Sequence, residues 1–85
     1  MNKIVLITGA TSGIGEACAR RFAIGGYDLI LTGRNQVKLD ALQQQLNGDG
    51  ADVKLLKFDV RDRKAATDAV GTLSGKWCDV DVLIN

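Results

Sequence analysis

Three glycines lie among hydroxyl residues in the segment Thr8-Gly9-Ala10-Thr11-Ser12-Gly13-Ile14-Gly15, directly after the apolar run Ile4–Ile7. Glycine has no Cβ, so Gly9, Gly13 and Gly15 permit backbone angles and close approaches that other residues block. Exposed amides at the start of a following helix, together with the positive end of its dipole, form a site for phosphate. The segment therefore predicts a pocket for the phosphates of a nucleotide.

The glycine spacing separates this turn from two other phosphate-binding motifs. A P-loop has Lys and then Ser or Thr directly after its last glycine, whereas Gly15 is followed by Glu16 and Ala17. The common dinucleotide fingerprint G-x-G-x-x-G also fails, because the pattern here is G-x-x-x-G-x-G. The alternative that these residues leave open is a glycine-rich turn without a ligand.

Alternating strands and helices must position this turn. Short apolar runs predict four strands, and apolar residues at helical spacing predict three helices between them. The predicted strands are Ile4–Ile7, Asp28–Thr32, Val53–Phe58 and Val80–Ile84. The predicted helices run from about Ile14 to Ala23 with Gly25-Gly26 as the stop, from an N-cap at Asn35 to Asn47-Gly48, and from an N-cap at Asp62 to Gly75.

Each predicted helix has an apolar face. These faces consist of Ile14, Cys18 and Phe22; of Leu39, Leu42 and Leu46; and of Ala66, Ala69, Val70 and Leu73. Such alternation implies an α/β fold, the N-terminal half of a Rossmann fold, with a parallel sheet in strand order 3-2-1-4 and helices on both faces. A ligand is expected at the carboxyl edge of the sheet, where the strand order reverses.

Arg34 follows Gly33 at the end of the second predicted strand. Dinucleotide-binding folds place the adenosine ribose there, and an acidic residue at this point binds the 2′-hydroxyl of NAD. Arg34 instead presents a fixed charge and a planar fork of donors, which suit the 2′-phosphate of NADP. We predict NADP over NAD, with Asn35 and Lys38 as weaker contributors. The alternative is that Arg34 is an ordinary solvated side chain.

Asp59 and Val60 close the third predicted strand at the same edge. A carboxylate there can accept a hydrogen bond from the adenine amino group, while the Val60 amide donates to the ring. Without further evidence, Asp59 is equally well a turn residue at a strand end.

Composition excludes several classes of protein. The chain has 85 residues, 46% of them hydrophobic, and a formal net charge of +1, so it predicts a small globular domain without a nucleic-acid or membrane surface. The N-terminal apolar run is too short for a signal peptide or a membrane span. Cys18 and Cys78 show no metal or redox spacing, and we expect buried or half-buried thiols of a cytoplasmic protein.

The pattern T-G-x-x-x-G-I-G after a strand resembles the short-chain dehydrogenase/reductase family, and the resemblance spans the whole chain. It implies an oxidoreductase that transfers hydride between NADP(H) and a hydroxyl or carbonyl substrate. It also implies that Asp59-Val60 contacts adenine and that Asn85, the first residue of an Asn-Asn-Ala-Gly motif, lies near the nicotinamide ribose. The expected cofactor-binding residues are Gly9, Ala10, Thr11, Ser12, Gly13, Ile14, Gly15, Arg34, Asn35, Asp59, Val60 and Asn85.

The family's catalytic base is a Tyr with a Lys four residues later. The single tyrosine, Tyr27, is followed at that distance by Leu31, and the chain has no histidine. We therefore predict no catalytic residue here and regard residues 1–85 as a partial NAD(P)-binding Rossmann domain, a fragment that is inactive by itself. The alternatives are a non-catalytic NADP-binding module and an inactive truncated product.

Three further segments resemble one group within the family, the NADP-dependent 3-hydroxy acid dehydrogenases acting on serine, allo-threonine or malonic semialdehyde. They are Thr32-Gly33-Arg34, Asp59-Val60-Arg61 and Trp77-Cys78. Sugar, acyl-carrier and steroid carbonyl reductases are the alternatives. The family implies a homo-oligomer for the full-length protein. We also expect the chain to self-associate, because its last strand lacks a covering neighbour.

Overall fold

The computed structural model describes residues 2–58 and 61–84. Four strands form one parallel sheet in the order β3-β2-β1-β4, which confirms the predicted fold class and strand order. The strands are β1 (Ile4–Ile7), β2 (Asp28–Leu31), β3 (Val53–Leu55) and β4 (Val82–Ile84). The helices are α1 (Gly13–Ile24), α2 (Gln36–Gly48) and α3 (Arg63–Gly71), followed by a 3₁₀ turn at Gly75–Cys78.

Alternate residues of the central strands enter two different cores, because side chains along a strand point to opposite faces. Val5, Ile7, Leu29 and Leu31 join the larger core. The helices contribute Ala19 from α1 and the predicted stripe Leu39, Leu42 and Leu46 from α2. On the opposite face, Ile4, Ile30 and Leu56 form a smaller core against Leu6, Phe58, Leu73 and Trp77.

Side-chain caps begin the helices where the sequence indicates. The Oδ1 atom of Asn35 accepts from the Lys38 N–H at 3.1 Å, and Asp62 Oδ1 accepts from the Ala65 N–H at 3.1 Å. Both residues are therefore N-caps, as predicted. Helix α1 ends at Ile24 with Gly25 as its C-cap, and Gly26 has a φ of 87° that glycine adopts without strain.

The third helix departs from its prediction. It ends at Gly71, four residues before Gly75, and none of its residues is fully buried. Val70 is 47% exposed, and Leu73 reaches the smaller core from beyond the end of the helix. Apolar spacing marks which residues share a face, but it does not show whether another element covers that face.

Other expectations need correction at single positions. Ile14 is 81% exposed, so the buried face of α1 consists of Gly15 and Ala19 with the half-buried Cys18 and Phe22. Strands β2, β3 and β4 are each shorter than predicted. Both cysteines are free thiols, but Cys78, the last residue of the 3₁₀ turn, is exposed, and its Sγ donates to the Leu73 carbonyl.

Tyr27 and Trp77 have packing roles. Tyr27 lies just before β2, at the amino edge of the sheet, and its ring meets Phe22 edge-on at 4.8 Å. Trp77 packs against the smaller core. In the described part of the chain, none of the helices combines the length and the apolar composition needed to cross a membrane.

Charged groups fill the amino edge of the sheet. Asp28, only 4% exposed, accepts from Lys76 Nζ at 3.0 Å, from Asn2 Nδ2 at 3.3 Å and from the Asp52 N–H at 3.2 Å. Lys76 also contacts Asp52 at 2.6 Å, and Asp81 Oδ2 accepts from the Ile4 N–H at 2.8 Å. These contacts connect the amino ends of all four strands.

Opposing effects set the pKa of the Asp28 carboxyl. Burial raises this pKa, but the hydrogen bonds from Lys76, Asn2 and the Asp52 amide, together with the charge of Lys76, outweigh burial and lower it. The pKa of Lys76 is raised, first by its hydrogen bond to Asp52 and then by the one to Asp28. The folded state therefore favours the charged form of both residues.

We expect Asp28→Asn to lower the free energy of unfolding by about 1–2 kcal/mol at neutral pH, because it removes a charge-assisted hydrogen bond. Since the folded-state pKa is depressed, this contribution is fully present above about pH 4 and is lost as the pH falls through that pKa. Urea titrations between pH 2 and 7 measure the effect. Asp68→Asn, on the exposed face of α3, is the control; equal losses in both variants would contradict the prediction.

Candidate nucleotide-binding site

The glycine-rich turn lies at the carboxyl edge of the sheet, between β1 and α1. Gly9 has a φ of 64°, in the left-handed region that favours glycine. The Ser12 hydroxyl donates to the Gly9 carbonyl at 2.8 Å and accepts from the Gly15 N–H at 3.1 Å. Ser12 is thus the N-cap of α1 and closes the turn on itself.

Gly15 brings α1 against this turn. A Cβ at Gly15 would lie 2.8 Å from the Gly9 carbonyl carbon and 3.0 Å from the Ala10 Cα, and closer still to the Gly9 oxygen. These are backbone atoms, which cannot rotate away as a flexible side chain could. Glycine at position 15 is therefore required by the packing of the chain itself.

Gly13 is under no such constraint. A Cβ there would meet nothing within 4 Å, and Gly13 is not among the glycines with positive φ. Among the described residues there is no acceptor for the N–H groups of Gly13 and Ile14, whereas those of Gly15 and Glu16 donate to Ser12. The start of α1 therefore presents two unpaired donors beside an open space, an arrangement suited to an anion.

Close packing joins the turn to the end of β2. The Ala10 N–H donates to the Thr32 carbonyl at 2.9 Å, and a Cβ at Gly33 would lie 3.1 Å from the Thr11 Oγ1. Thr32 is completely buried, and its Oγ1 has no partner in the described structure. These contacts place Arg34 at the same edge of the sheet as the glycine-rich turn.

A cavity of about 360 Å³ opens beside Arg34, between the ends of β2 and β3. Its lining residues are Gly33, Arg34, Gln36, Lys57, Phe58 and Arg61. Asn35 lies next to this cavity as the N-cap of α2. Lys38, the other expected contributor, lines a separate cavity of about 170 Å³ between α1 and α2, with Thr11, Glu16 and Gln45 among its neighbours.

The structure brings most of the expected site residues together at the carboxyl edge. The turn residues 9–15 and Arg34 with Asn35 lie there, whereas Asp59, Val60 and Asn85 fall outside the described residues. The sequence analysis missed Lys57, Phe58 and Arg61 as cavity residues. Their one available signal was their position directly around Asp59-Val60, at the end of the third predicted strand.

A parallel sheet with a glycine-rich turn between its first strand and first helix, and with strand order reversing at β1, defines a Rossmann-type fold. The model of one family within this class, described as short chain dehydrogenase, matches residues 3–85. The chain therefore belongs to the short-chain dehydrogenase family.

Relatives within the family span about three times the length of this chain. The chain is 45% identical over 82 residues to the NADP-dependent 3-hydroxy acid dehydrogenase YdfG of Salmonella typhi, covering 96% of this chain and 32% of that protein. It is 46% identical over 85 residues to sulfoacetaldehyde reductase 2 of Chromohalobacter salexigens, covering 100% of this chain and 33% of that protein.

Solved structures share the fold. The closed form of serine dehydrogenase complexed with NADP⁺ has a TM-score of 0.84 and 40% identity, over 94% of this chain and 31% of that chain. The chain thus spans about a third of the relatives that it matches.

We expect Gly15→Ala and Gly13→Ala to have opposite effects on stability. Gly15→Ala places a methyl group against the Gly9 backbone, so it should lower the free energy of unfolding by about 3 kcal/mol. Gly13→Ala adds a methyl group in open space and reduces the entropy of the unfolded chain, so it should raise stability by up to about 1 kcal/mol. Chemical denaturation of both variants measures the difference; similar destabilisation by both would contradict the assigned contacts.

Thr32→Val is expected to stabilise the fold by about 1 kcal/mol, because it replaces a buried hydroxyl without a partner by a methyl group of similar size. Thermal or urea denaturation measures this gain. Thr67→Val is the matched control, since the Thr67 hydroxyl is exposed and donates to the Arg63 carbonyl. A loss of stability in Thr32→Val would show that the hydroxyl has a partner after all.

Proposed function

We propose that these residues bind NADP(H) as the cofactor-binding part of an oxidoreductase that transfers hydride to or from a hydroxyl or carbonyl substrate. The observation that carries the proposal is the open space over Gly13. Gly9 is explained by its backbone angle and Gly15 by its contact with Gly9, but nothing in the fold requires glycine at position 13. A ligand that approaches the backbone closely does require it.

The adjoining amides indicate the chemistry of that ligand. The N–H groups of Gly13 and Ile14 are unpaired in the described structure and lie at the positive end of the α1 dipole. This arrangement favours the pyrophosphate of a dinucleotide, with residues Gly9 to Gly15 around it. We extend the proposal to adenine contacts from Asp59 and Val60 and to a contact from Asn85 near the nicotinamide ribose.

Charge at the end of β2 supports NADP rather than NAD. Arg34 is exposed and lines the cavity there, and the described lining residues of this cavity include no carboxylate. An acidic residue that binds the 2′-hydroxyl of NAD is therefore absent from the described cavity wall, while a guanidinium suited to a phosphate is present. The NADP-dependent YdfG relative and the serine dehydrogenase complexed with NADP⁺ agree with this proposal.

For the whole protein we propose a small acidic substrate, with a 3-hydroxy acid as the first choice. The YdfG relative is named for 3-hydroxy acids and the Chromohalobacter relative for sulfoacetaldehyde, and both compounds carry an acidic group. Within residues 1–85 no tyrosine is followed by a lysine four positions later, and Tyr27 lies at the amino edge of the sheet. We therefore assign cofactor binding, and no proton transfer, to the residues of this chain.

The proposal also covers the cellular compartment and the assembly of the protein. Both cysteines are free thiols, which supports a reducing compartment such as the cytoplasm.

Strand β4 pairs with β1 on one side, and Leu83 is 58% exposed. An apolar edge of this kind supports self-association of the 85-residue chain and packing against further structure in a homo-oligomeric whole protein.

Arg34→Ala tests the preference for NADP. We expect it to weaken NADPH binding by about 10- to 100-fold while changing NADH affinity by less than about twofold, because only NADPH carries the 2′-phosphate. Calorimetric titration of both cofactors measures the change, and Arg63→Ala, at the exposed start of α3, controls for loss of a positive charge. Equal wild-type affinities for NADPH and NADH would overturn the assignment of Arg34.

Gly13→Ala tests nucleotide binding itself. Because its methyl group occupies the space proposed for the phosphates without disturbing the fold, it should weaken NADPH and NADH alike by about tenfold or more. Unchanged affinity for both cofactors would overturn the phosphate site.

A further inference from the structure

The cavity beside Arg34 carries more positive charge than one arginine supplies. Arg34 and Lys57 both contribute positive charge to its wall, and Gln36, Gly33, Phe58 and Arg61 complete the described lining. Closely spaced cations repel one another unless an anion lies between them. The cavity wall therefore has the electrostatics of a site for a group with more than one negative charge.

Lys57 reaches this cavity from a different strand than Arg34. Arg34 follows β2 and Lys57 follows β3, and these strands are neighbours in the sheet, with Leu31 paired to Leu55. The two cations thus reach one cavity from the ends of two neighbouring strands. Lys54, in contrast, lies within β3, is exposed, and does not line the cavity.

Lys57 forms a weak ion pair with the carboxylate of Asp40. Its Nζ lies 3.4 Å from Asp40 Oδ1, and the two side chains are 52% and 54% exposed. Ion pairs that are half in water contribute little to stability, and the long lysine stem changes rotamer easily. Another anion in the cavity can therefore replace Asp40 as the partner of Lys57.

A phosphate monoester has the charge and the acceptor oxygens that suit the cavity wall beside Arg34. It carries between one and two negative charges at neutral pH and three acceptor oxygens. The Arg34 guanidinium can satisfy two of those oxygens and offset one charge, which leaves an oxygen and residual charge for an ammonium group. Lys57 is the lysine that lines the cavity in the described structure.

We propose that Lys57 is a second specificity-determining residue, which binds the 2′-phosphate of NADP(H) together with Arg34 and leaves Asp40 when it does so. This inference rests on the proposed function, since it presupposes that the adenosine end of the cofactor occupies the cavity. It adds a contribution from the segment after β3 to cofactor discrimination, and it gives Asp40 the role of an internal competitor.

Two probes that differ by the 2′-phosphate test this inference: adenosine 2′,5′-bisphosphate and 5′-AMP. Their affinities are measured by calorimetry on the wild-type chain and on Lys57→Gln, with Lys54→Gln as the matched control. We expect Lys57→Gln to weaken bisphosphate binding by about five- to tenfold, with 5′-AMP changed by less than about twofold, because one of two neutralising charges is lost. Lys54→Gln should leave both affinities within about twofold, since Lys54 is outside the cavity.

Asp40→Asn provides a change in the opposite direction. Removing the competing carboxylate should tighten bisphosphate binding by about two- to threefold, and this gain should vanish in the double variant Asp40→Asn/Lys57→Gln. If the Asp40–Lys57 pair had only a structural role, Asp40→Asn would weaken bisphosphate binding, or its effect would be the same with and without Lys57. Circular dichroism melts on all variants confirm that each one is folded.

The outcomes separate this inference from the proposed function. If the wild-type chain binds the bisphosphate more tightly than 5′-AMP and Lys57→Gln retains that preference in full, the inference is overturned while the assignment of Arg34 stands. If the wild-type chain shows no preference, the proposed NADP site and the inference both fail. Equal losses of bisphosphate affinity in Lys57→Gln and Lys54→Gln would mean that the effect comes from net charge alone. This result would also overturn the inference.

Discussion

The contact between Gly15 and the Gly9 carbonyl is the constraint on which the site depends. It lets the first turn of α1 pack directly on the backbone that leaves β1, with no side chain between them. Helix α1 therefore starts directly at the carboxyl edge of β1, where the strand order reverses. A larger residue at position 15 would move the helix away and would remove the crevice together with the packing.

The amino edge of the sheet contributes to stability, whereas the carboxyl edge carries the candidate binding site. At the amino edge, Asp28 and Asp81 pair with backbone amides, and Lys76 links Asp28 to Asp52, so polar groups there are satisfied internally. At the carboxyl edge, the start of α1 leaves the N–H groups of Gly13 and Ile14 unpaired among the described residues, and the exposed Arg34 lines the neighbouring cavity. The same parallel sheet thus anchors the chain at one end and presents a site at the other.

Local patterns predicted what depends on nearby residues. The caps Asn35 and Asp62, the glycine stop of α1 and the leucine stripe of α2 are set within one or two helical turns, and the structure confirms them. The face of α3 and the exposure of Ile14 and Cys78 depend on which elements cover them, so spacing alone placed them wrongly. Lys57 and Phe58, which follow β3, were missed as cavity residues for the same reason, because their relation to Arg34 exists only across the sheet.

By itself, the sequence determined the fold class, the strand order and the position of a glycine-rich turn, since right-handed crossovers and short loops leave few ways to connect alternating strands and helices. Only the tertiary structure showed why each glycine is present, because Gly9, Gly13 and Gly15 are distinguished by their backbone angles, by the atoms near an added Cβ and by the partners of their N–H groups. It also decided that Lys57 joins Arg34 at one cavity, because residues far apart in the chain become neighbours only when β2 and β3 pair.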